Sequence, residues 1–280
     1  MSDEPGFWSS TDFPYTCLRD RHRTATLAEV VTATVRPGDV VLDAGAGTGI
    51  LALYAARAGA SRVFAVENDP VLCRHLRSTV ERNGYAGVIE VVEADVHTFT
   101  APTVDVALME LVETALVDEA LVSAYNALLG LGTVGPATRS LPAGYTTAVQ
   151  PVVTENAYDG FEVVALRHDW SFYEGQPEVW GHWPWSPAGP VTPVWTGAFA
   201  GEPVEPRVDV VVAVDDPDPR VNGLRVTGEL EMPDGRVCGE FASLNGPKVL
   251  PLPVRPAGSR ALRLGYTMAE GLAGLEVAWV

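Results

Sequence analysis

The residues best placed to do chemistry are Asp43, Gly45, Gly47, Gly49 and Glu67. The first four lie in Val40-Val41-Leu42-Asp43-Ala44-Gly45-Ala46-Gly47-Thr48-Gly49, an apolar run that breaks into alternating glycines. Glycine lets a backbone turn tightly and approach a ligand, and the amides that open the following helix face that ligand. Glu67 stands 22 residues after Gly45, where an acid ending a second strand accepts hydrogen bonds from a ribose. A dinucleotide fingerprint would want its third glycine at residue 50, which is Ile50. Asp43, just ahead of the glycines, would repel a pyrophosphate and attract an ammonium.

These demands point to a nucleoside bearing an amino acid, and so to S-adenosyl-L-methionine, with S-adenosyl-L-homocysteine as product. Asp43 would meet the ammonium and Glu67 the ribose hydroxyls, with Asn68 directly behind it. Arg23 would meet the carboxylate if the N-terminal arm folds over the cradle.

The elements that must position these groups follow from the pattern around them. The arm carries Phe7, Trp8, Phe13 and Tyr15, then Cys17-Leu18-Arg19-Asp20-Arg21-His22-Arg23-Thr24, then a helix over 25–34 stopping near Pro37-Gly38. After Gly49 a helix runs to Gly59, a strand covers 62–66, and a helix capped by Asp69 closes at Asn83-Gly84. Strands at 88–92 and 104–109 and a helix at 116–129 continue a doubly wound α/β sheet. From Pro136 onward, Pro and Gly punctuate short β-rich runs at 146–153, 208–214, 223–232, 260–266 and 275–280, the spacing of an antiparallel sandwich or barrel. The expected division is an N-terminal helical lid over 1–38, a Rossmann-like nucleotide domain over 39–142 and a β-barrel-like domain over 143–280.

Bulk properties narrow the partners. A formal charge of −17 and a pI near 4.6 argue against nucleic acid. Cys17, Cys73 and Cys238 show neither a disulfide framework nor metal-ligand spacing, and no run approaches a membrane span. A cytoplasmic enzyme without a metal is the expectation. Trp170, Trp180, Trp183, Trp185 and Trp195 cluster within 26 residues beside Phe172, Tyr173 and His182. They would pack a loop, make a dimer contact or line an aromatic substrate pocket.

The first half resembles the class I S-adenosylmethionine-dependent methyltransferases, and specifically the protein arginine methyltransferases. Leu18 to Thr24 is similar to that family's Leu-x-Asp-x-x-Arg-Thr element, Val41 to Leu51 to its first motif, and Ala65-Val66-Glu67 to its ribose-binding acid. The resemblance implies adenine contacts at Val96 and His97. It also implies a two-glutamate loop at Glu110 and Glu119, a β-barrel behind the nucleotide domain, and a head-to-tail homodimer made by an arm at about 156–185. Glu110 would serve both the cofactor and the acceptor.

This chain departs from the family at the substrate end. Where the family reads Ser-Glu-Trp-Met-Gly-Tyr, it has Met109-Glu110-Leu111-Val112-Glu113-Thr114, adding Glu113 as a third candidate acid. Where the family carries Thr-His-Trp, it has Ser243-Leu244-Asn245-Gly246-Pro247-Lys248; His182-Trp183 stands too early to replace the lost histidine. A retained donor half and an altered acceptor half predict methyl transfer to a small nitrogen-containing aromatic metabolite. Bacterial enzymes that resemble the arginine methyltransferases include indole C3-methyltransferases acting on tryptophan-containing cyclic dipeptides, and that transfer is the best single expectation for this chain. Arginine methylation of a basic protein, or N-methylation of another metabolite, is the alternative expectation.

Overall fold

Turn residues bound each apolar run of the first half. In the computed structural model, which describes residues 13–168, 184–214, 218–239 and 245–280, these runs form one parallel sheet. The elements are α1 (Phe13–Arg19), α2 (Arg21–Thr34), β1 (Val40–Ala44), α3 (Ile50–Arg57), β2 (Arg62–Glu67), α4 (Pro70–Arg82), β3 (Ile89–Glu93), β4 (Val106–Leu108), α5 (Leu121–Gly130) and β5 (Arg139–Leu141). Their strand order is β3-β2-β1-β4-β5. The chain winds outward from β1 to β3 and then returns to β4. The loops after β1 and β4 therefore diverge and open a crevice at the carboxyl ends of the strands.

Local chemistry explains the helix starts. Asp69 accepts the Val71 and Leu72 amides at 2.6 and 3.2 Å, with Pro70 in the first turn. Gly49 begins α3 in the left-handed region at φ 79°, and a Cβ there would collide with buried Leu76. Helix α2 begins at Arg21, four residues before the apolar pattern suggests, because the Asp20 side chain accepts the Arg23 amide at 3.0 Å. Helix α5 starts at Leu121, later than the expected 116. Ala115 and Leu116 have φ of 66° and 56°, which no α-helix accommodates.

The second half contributes β6 (Gly144–Thr154), β7 (Ala157–Tyr158), β8 (Phe161–Glu162), β9 (Arg167–His168), β10 (Trp185–Pro187), β11 (Thr192–Ala198), β12 (Arg207–Ala213), β13 (Gly223–Glu231), β14 (Val237–Cys238), β15 (Lys248–Pro251), β16 (Ala261–Thr267) and β17 (Glu276–Trp279). Among the described residues these make a seven-stranded antiparallel sheet centred on β6 and β13, a three-stranded sheet β12-β16-β17 and the small β7–β8 hairpin. Alternation along β13 turns Leu224, Val226 and Leu230 into the core.

Helix α5 fastens the two halves together. Asn126 and Val204 exchange hydrogen bonds of 2.7 and 2.8 Å, the Gly201 amide donates to Tyr125 Oη at 2.7 Å, and the Tyr125 and Phe199 rings meet edge-on at 5.0 Å. No helix of the described residues is long and apolar enough to cross a membrane.

Candidate active site

The crevice at the carboxyl ends of β1 to β4 is a cavity of about 340 Å3, roofed by Pro14, Cys17 and Leu18 of α1. Of the residues singled out by sequence, Arg23, Asp43, Gly45, Gly47, Glu67, Asn68, Val96, His97, Glu110 and Glu119 line it. Gly49 and Glu113 do not. Gly49 turns the chain into α3, and Glu113 is buried against Lys248 of β15. His182 and Trp170, Trp180 and Trp183 lie outside the described residues. Neither Trp185 nor Trp195 lines the cavity: Arg225 stacks on the Trp185 ring at 4.8 Å, and Trp195 Nε1 donates to the Glu205 carbonyl at 3.0 Å.

At the β1 end, Asp43 is 2% exposed and takes the Ala52 amide on one oxygen at 2.9 Å. Burial pushes its carboxyl up to about 7; Glu110 and Glu67 add to this, and the Ala52 amide opposes it. Gly45 has φ 71°, and a Cβ there would stand 2.6 Å from Leu111 Cδ2, so only glycine leaves this wall of the cavity in place. Glu67 accepts the Gly47 amide on Oε2 and the Asp69 amide on Oε1, both at 2.9 Å. A carboxylate has about four acceptor positions, which leaves one on each oxygen.

At the adenine end predicted by sequence, Asp95 accepts both the amide of His97 at 2.9 Å and its Nδ1 at 2.8 Å, while His97 Nε2 meets Ser123 Oγ at 3.0 Å. Asp95 is a lining residue that sequence reasoning missed, although Asp-x-His is a legible turn signal.

At the acceptor end, Arg23 is 5% exposed and grips Glu110 with Nε at 3.1 Å and with Nη2, while Nη1 donates to the Cys17 carbonyl at 3.3 Å. Three of the five guanidinium hydrogens are thereby used. Glu119 makes no ion pair among the described residues; burial first and the Glu110 charge second push its carboxyl up to about 7. Asp118 also lines the cavity, and burial raises its carboxyl. The Cys17 thiol is pushed up to about 12 by burial and stays protonated, which removes it as a nucleophile.

The segment joining the two glutamates is held by the β domain. Lys248 Nζ bonds the Glu113 carboxylate and the Thr114 carbonyl, the latter at 3.0 Å, and Thr114 Oγ1 bonds the Gly246 carbonyl. Tyr145 Oη takes the Ala115 amide at 3.0 Å and donates to Asn245 Oδ1 at 2.9 Å. The Ala269 and Gly271 amides donate to the Leu116 and Val117 carbonyls at 3.0 and 2.9 Å. Left-handed Ala115 and Leu116 each cost about 1–2 kcal/mol, so external contacts must hold them. The stretch that replaces the expected Thr-His-Trp thus supplies braces to the segment between the glutamates.

The donor half fits S-adenosylmethionine. Asp43 is a buried carboxylate facing the cavity with a single amide as its hydrogen-bond partner among the described residues, and an ammonium would compensate its charge. Arg23 keeps hydrogens for a carboxylate, and Glu67 keeps acceptor positions for two hydroxyls. The cavity volume lies in the ligand-pocket range of about 300–1,000 Å3.

Comparison with known proteins agrees. Residues 20–127 match the TRM5/TYW2 methyltransferase domain model. An uncharacterized protein of Methanocaldococcus jannaschii is 25% identical, with 94% of this chain and 95% of that one covered. An arginine N(omega)-methyltransferase of Streptomyces achromogenes subsp. streptozoticus is 28% identical, with 90% of this chain and 75% of that one covered. Among solved structures, the Trypanosoma brucei PRMT1 enzyme-prozyme complex with AdoHcy superposes with a TM-score of 0.69 at 19% identity, covering 97% of this chain and 98% of that one. Fold, matched domain and cavity chemistry converge: the chain is an S-adenosylmethionine-dependent methyltransferase built on the fold of the protein arginine methyltransferases.

Proposed function

We propose that this enzyme methylates a small nitrogen-containing acceptor seated beside Glu119. The cofactor, when bound, supplies an electrophilic methyl group on a sulfonium, so the chain's own residues have only to align the acceptor and manage one proton. In this reading Arg23, Asp43, Gly45, Gly47, Glu67, Asn68, Val96 and His97 hold the donor. Glu110, clamped by Arg23, fixes the boundary between donor and acceptor. Glu119 accepts the proton that leaves the acceptor N–H. The observation that carries the proposal is Glu119 itself, a cavity carboxylate with no cation paired to it among the described residues and burial that sets it near neutrality.

The narrower reading is transfer to indole C3 of a tryptophan-containing cyclic dipeptide, with Glu119 drawing off the indole N–H proton as C3 attacks. Its support is the altered substrate end, where Asn245 to Lys248 stand in place of a histidine motif. The Streptomyces relative named for arginine favours a second reading, a guanidino nitrogen, free or in a basic peptide, drawn to the carboxylates of the cavity. Incubation with methyl-labelled cofactor and tryptophan diketopiperazines, free arginine or basic peptides separates the two. Label in a diketopiperazine is the expected result. Label in arginine or peptide alone replaces it with the second reading, and label in none of the three overturns both.

The proposal extends to a homodimer. Tyr158 and Phe161 on the β7–β8 hairpin are 60% and 73% exposed, an apolar pair that a second copy would cover. Phe161→Asp is expected to convert a dimer to a monomer in analytical ultracentrifugation. A wild-type chain that sediments as a monomer at micromolar concentration refutes the assembly.

A further inference from the structure

Among the contacts by which the β domain holds the segment ahead of Glu119, one chain runs through side chains to the residue next to it. Lys248 and Glu113 are each 3% exposed and lie 135 residues apart in sequence, one in each half of the molecule. Lys248 Nζ holds Oε2 of Glu113, and the other oxygen of that carboxylate accepts the amide of Asp118 at 3.1 Å. Asp118 immediately precedes Glu119, so the accepted amide fixes the backbone from which the Glu119 side chain departs. Lys248 also bonds the Thr114 carbonyl, one residue ahead of left-handed Ala115.

We propose that Lys248 is a positioning residue for methyl transfer: through Glu113 and the Asp118 amide it sets where Glu119 stands in the cavity. The inference rests on the assignment of Glu119 as the acceptor-side carboxylate. Three features support it. A buried ion pair is a poor device for stability, since apolar residues of similar size often do as well or better, whereas it fixes one arrangement by charge and geometry. The segment it holds takes a backbone path that its own residues disfavour, so without the brace the path has alternatives. Finally, neither Lys248 nor Glu113 lines the cavity, so any effect on the reaction passes through residues that do, and the Glu113 carboxylate holds the Asp118 amide directly ahead of Glu119.

The test compares Lys248→Met, Lys248→Arg and Glu113→Gln with the parent, counting sites by titration with S-adenosylhomocysteine. Lys248→Met is expected to bind the product cofactor like the parent, to lose about 10- to 100-fold in kcat per titrated site, and to exchange the Asp118 and Glu119 amides faster. Lys248→Arg, which restores the charge, is expected to recover part of both. Parental kcat per site in Lys248→Met, with only a lower melting temperature, overturns the proposal and leaves a structural brace. Should Lys248→Met not fold, Glu113→Gln keeps the side-chain shape and carries the same two expectations. If the parent methylates no acceptor offered, the reading of Glu119 is what has failed, and amide exchange alone decides. Unchanged exchange at Asp118 and Glu119 in the folded variants overturns the positioning role.

Discussion

Glu119→Gln is expected to lower turnover by about 10^2- to 10^4-fold, the usual contribution of a placed general base, with little change in S-adenosylhomocysteine affinity. The asymmetry follows from the two carboxylates' partners. Glu110 is locked to Arg23, so Glu110→Gln disturbs a residue of the donor site and is expected to weaken cofactor binding together with turnover. Glu119 pairs with no cation among the described residues, so its loss is expected to fall on the acceptor step. The pH dependence follows the same logic. A carboxyl raised to about 7 by burial and by Glu110 is largely protonated at pH 6 and cannot accept a proton there. With S-adenosylmethionine saturating, so that the titration of Asp43 does not enter, the parent's kcat/KM for the acceptor is expected to rise with pH through about 7 and level above it, and Glu119→Gln is expected to lose that limb. Full activity in Glu119→Gln removes the residue from the mechanism.

The donor half was legible in the sequence because its signals are local. The strand, the three glycines and the helix of residues 40–57 are contiguous, and Glu67 sits one βα unit further on. Even Arg23, in a charged run that reads equally well as a solvated face, was singled out by its place ahead of the cradle. The structure buries Arg23 while leaving Arg19, Arg21 and His22 exposed.

The acceptor half was legible only in part, for two physical reasons. Ala115 and Leu116 continue an apolar helical pattern, and nothing in their side chains announces a left-handed backbone imposed by Tyr145, Ala269 and Gly271. Spacing says nothing of a contact across 135 residues, so Glu113 read as a third cavity acid when its charge is taken up by Lys248. For the tryptophans, the two described ones follow the packing reading rather than that of a substrate pocket. Composition marks a cluster, but Trp185 and Trp195 spend their rings and N–H groups on Arg225 and Glu205 rather than on a ligand.

The second large effect is expected at Asp43, where one substitution moves binding and stability in opposite directions. Asp43→Asn keeps an oxygen for the Ala52 amide and removes only the charge. Hydrogen bonds to charged groups contribute about 1.5–3 kcal/mol, so S-adenosylmethionine affinity should fall by about 10- to 100-fold in calorimetric titration. Stability without ligand should rise, with a definite pH dependence. The folded carboxyl titrates at about 7, above its ordinary range, so the folded state holds a proton that the unfolded chain has already released. That contribution to stability is complete below the ordinary carboxylate range and is lost as pH rises to about 7, beyond which the buried charge costs most. The gain in melting temperature from Asp43→Asn should therefore be small at pH 5 and larger at pH 8. Glu81→Gln, which removes an exposed charge from α4, controls for the general relief of a chain carrying −17 and should show no such trend. Saturating S-adenosylmethionine reverses the order, because the ammonium compensates the parent's carboxylate and finds none in the variant. Unchanged affinity in Asp43→Asn would mean that the ammonium is held elsewhere, and an equal gain at pH 5 and pH 8 would mean that Asp43 is not the strained carboxylate of the empty cradle.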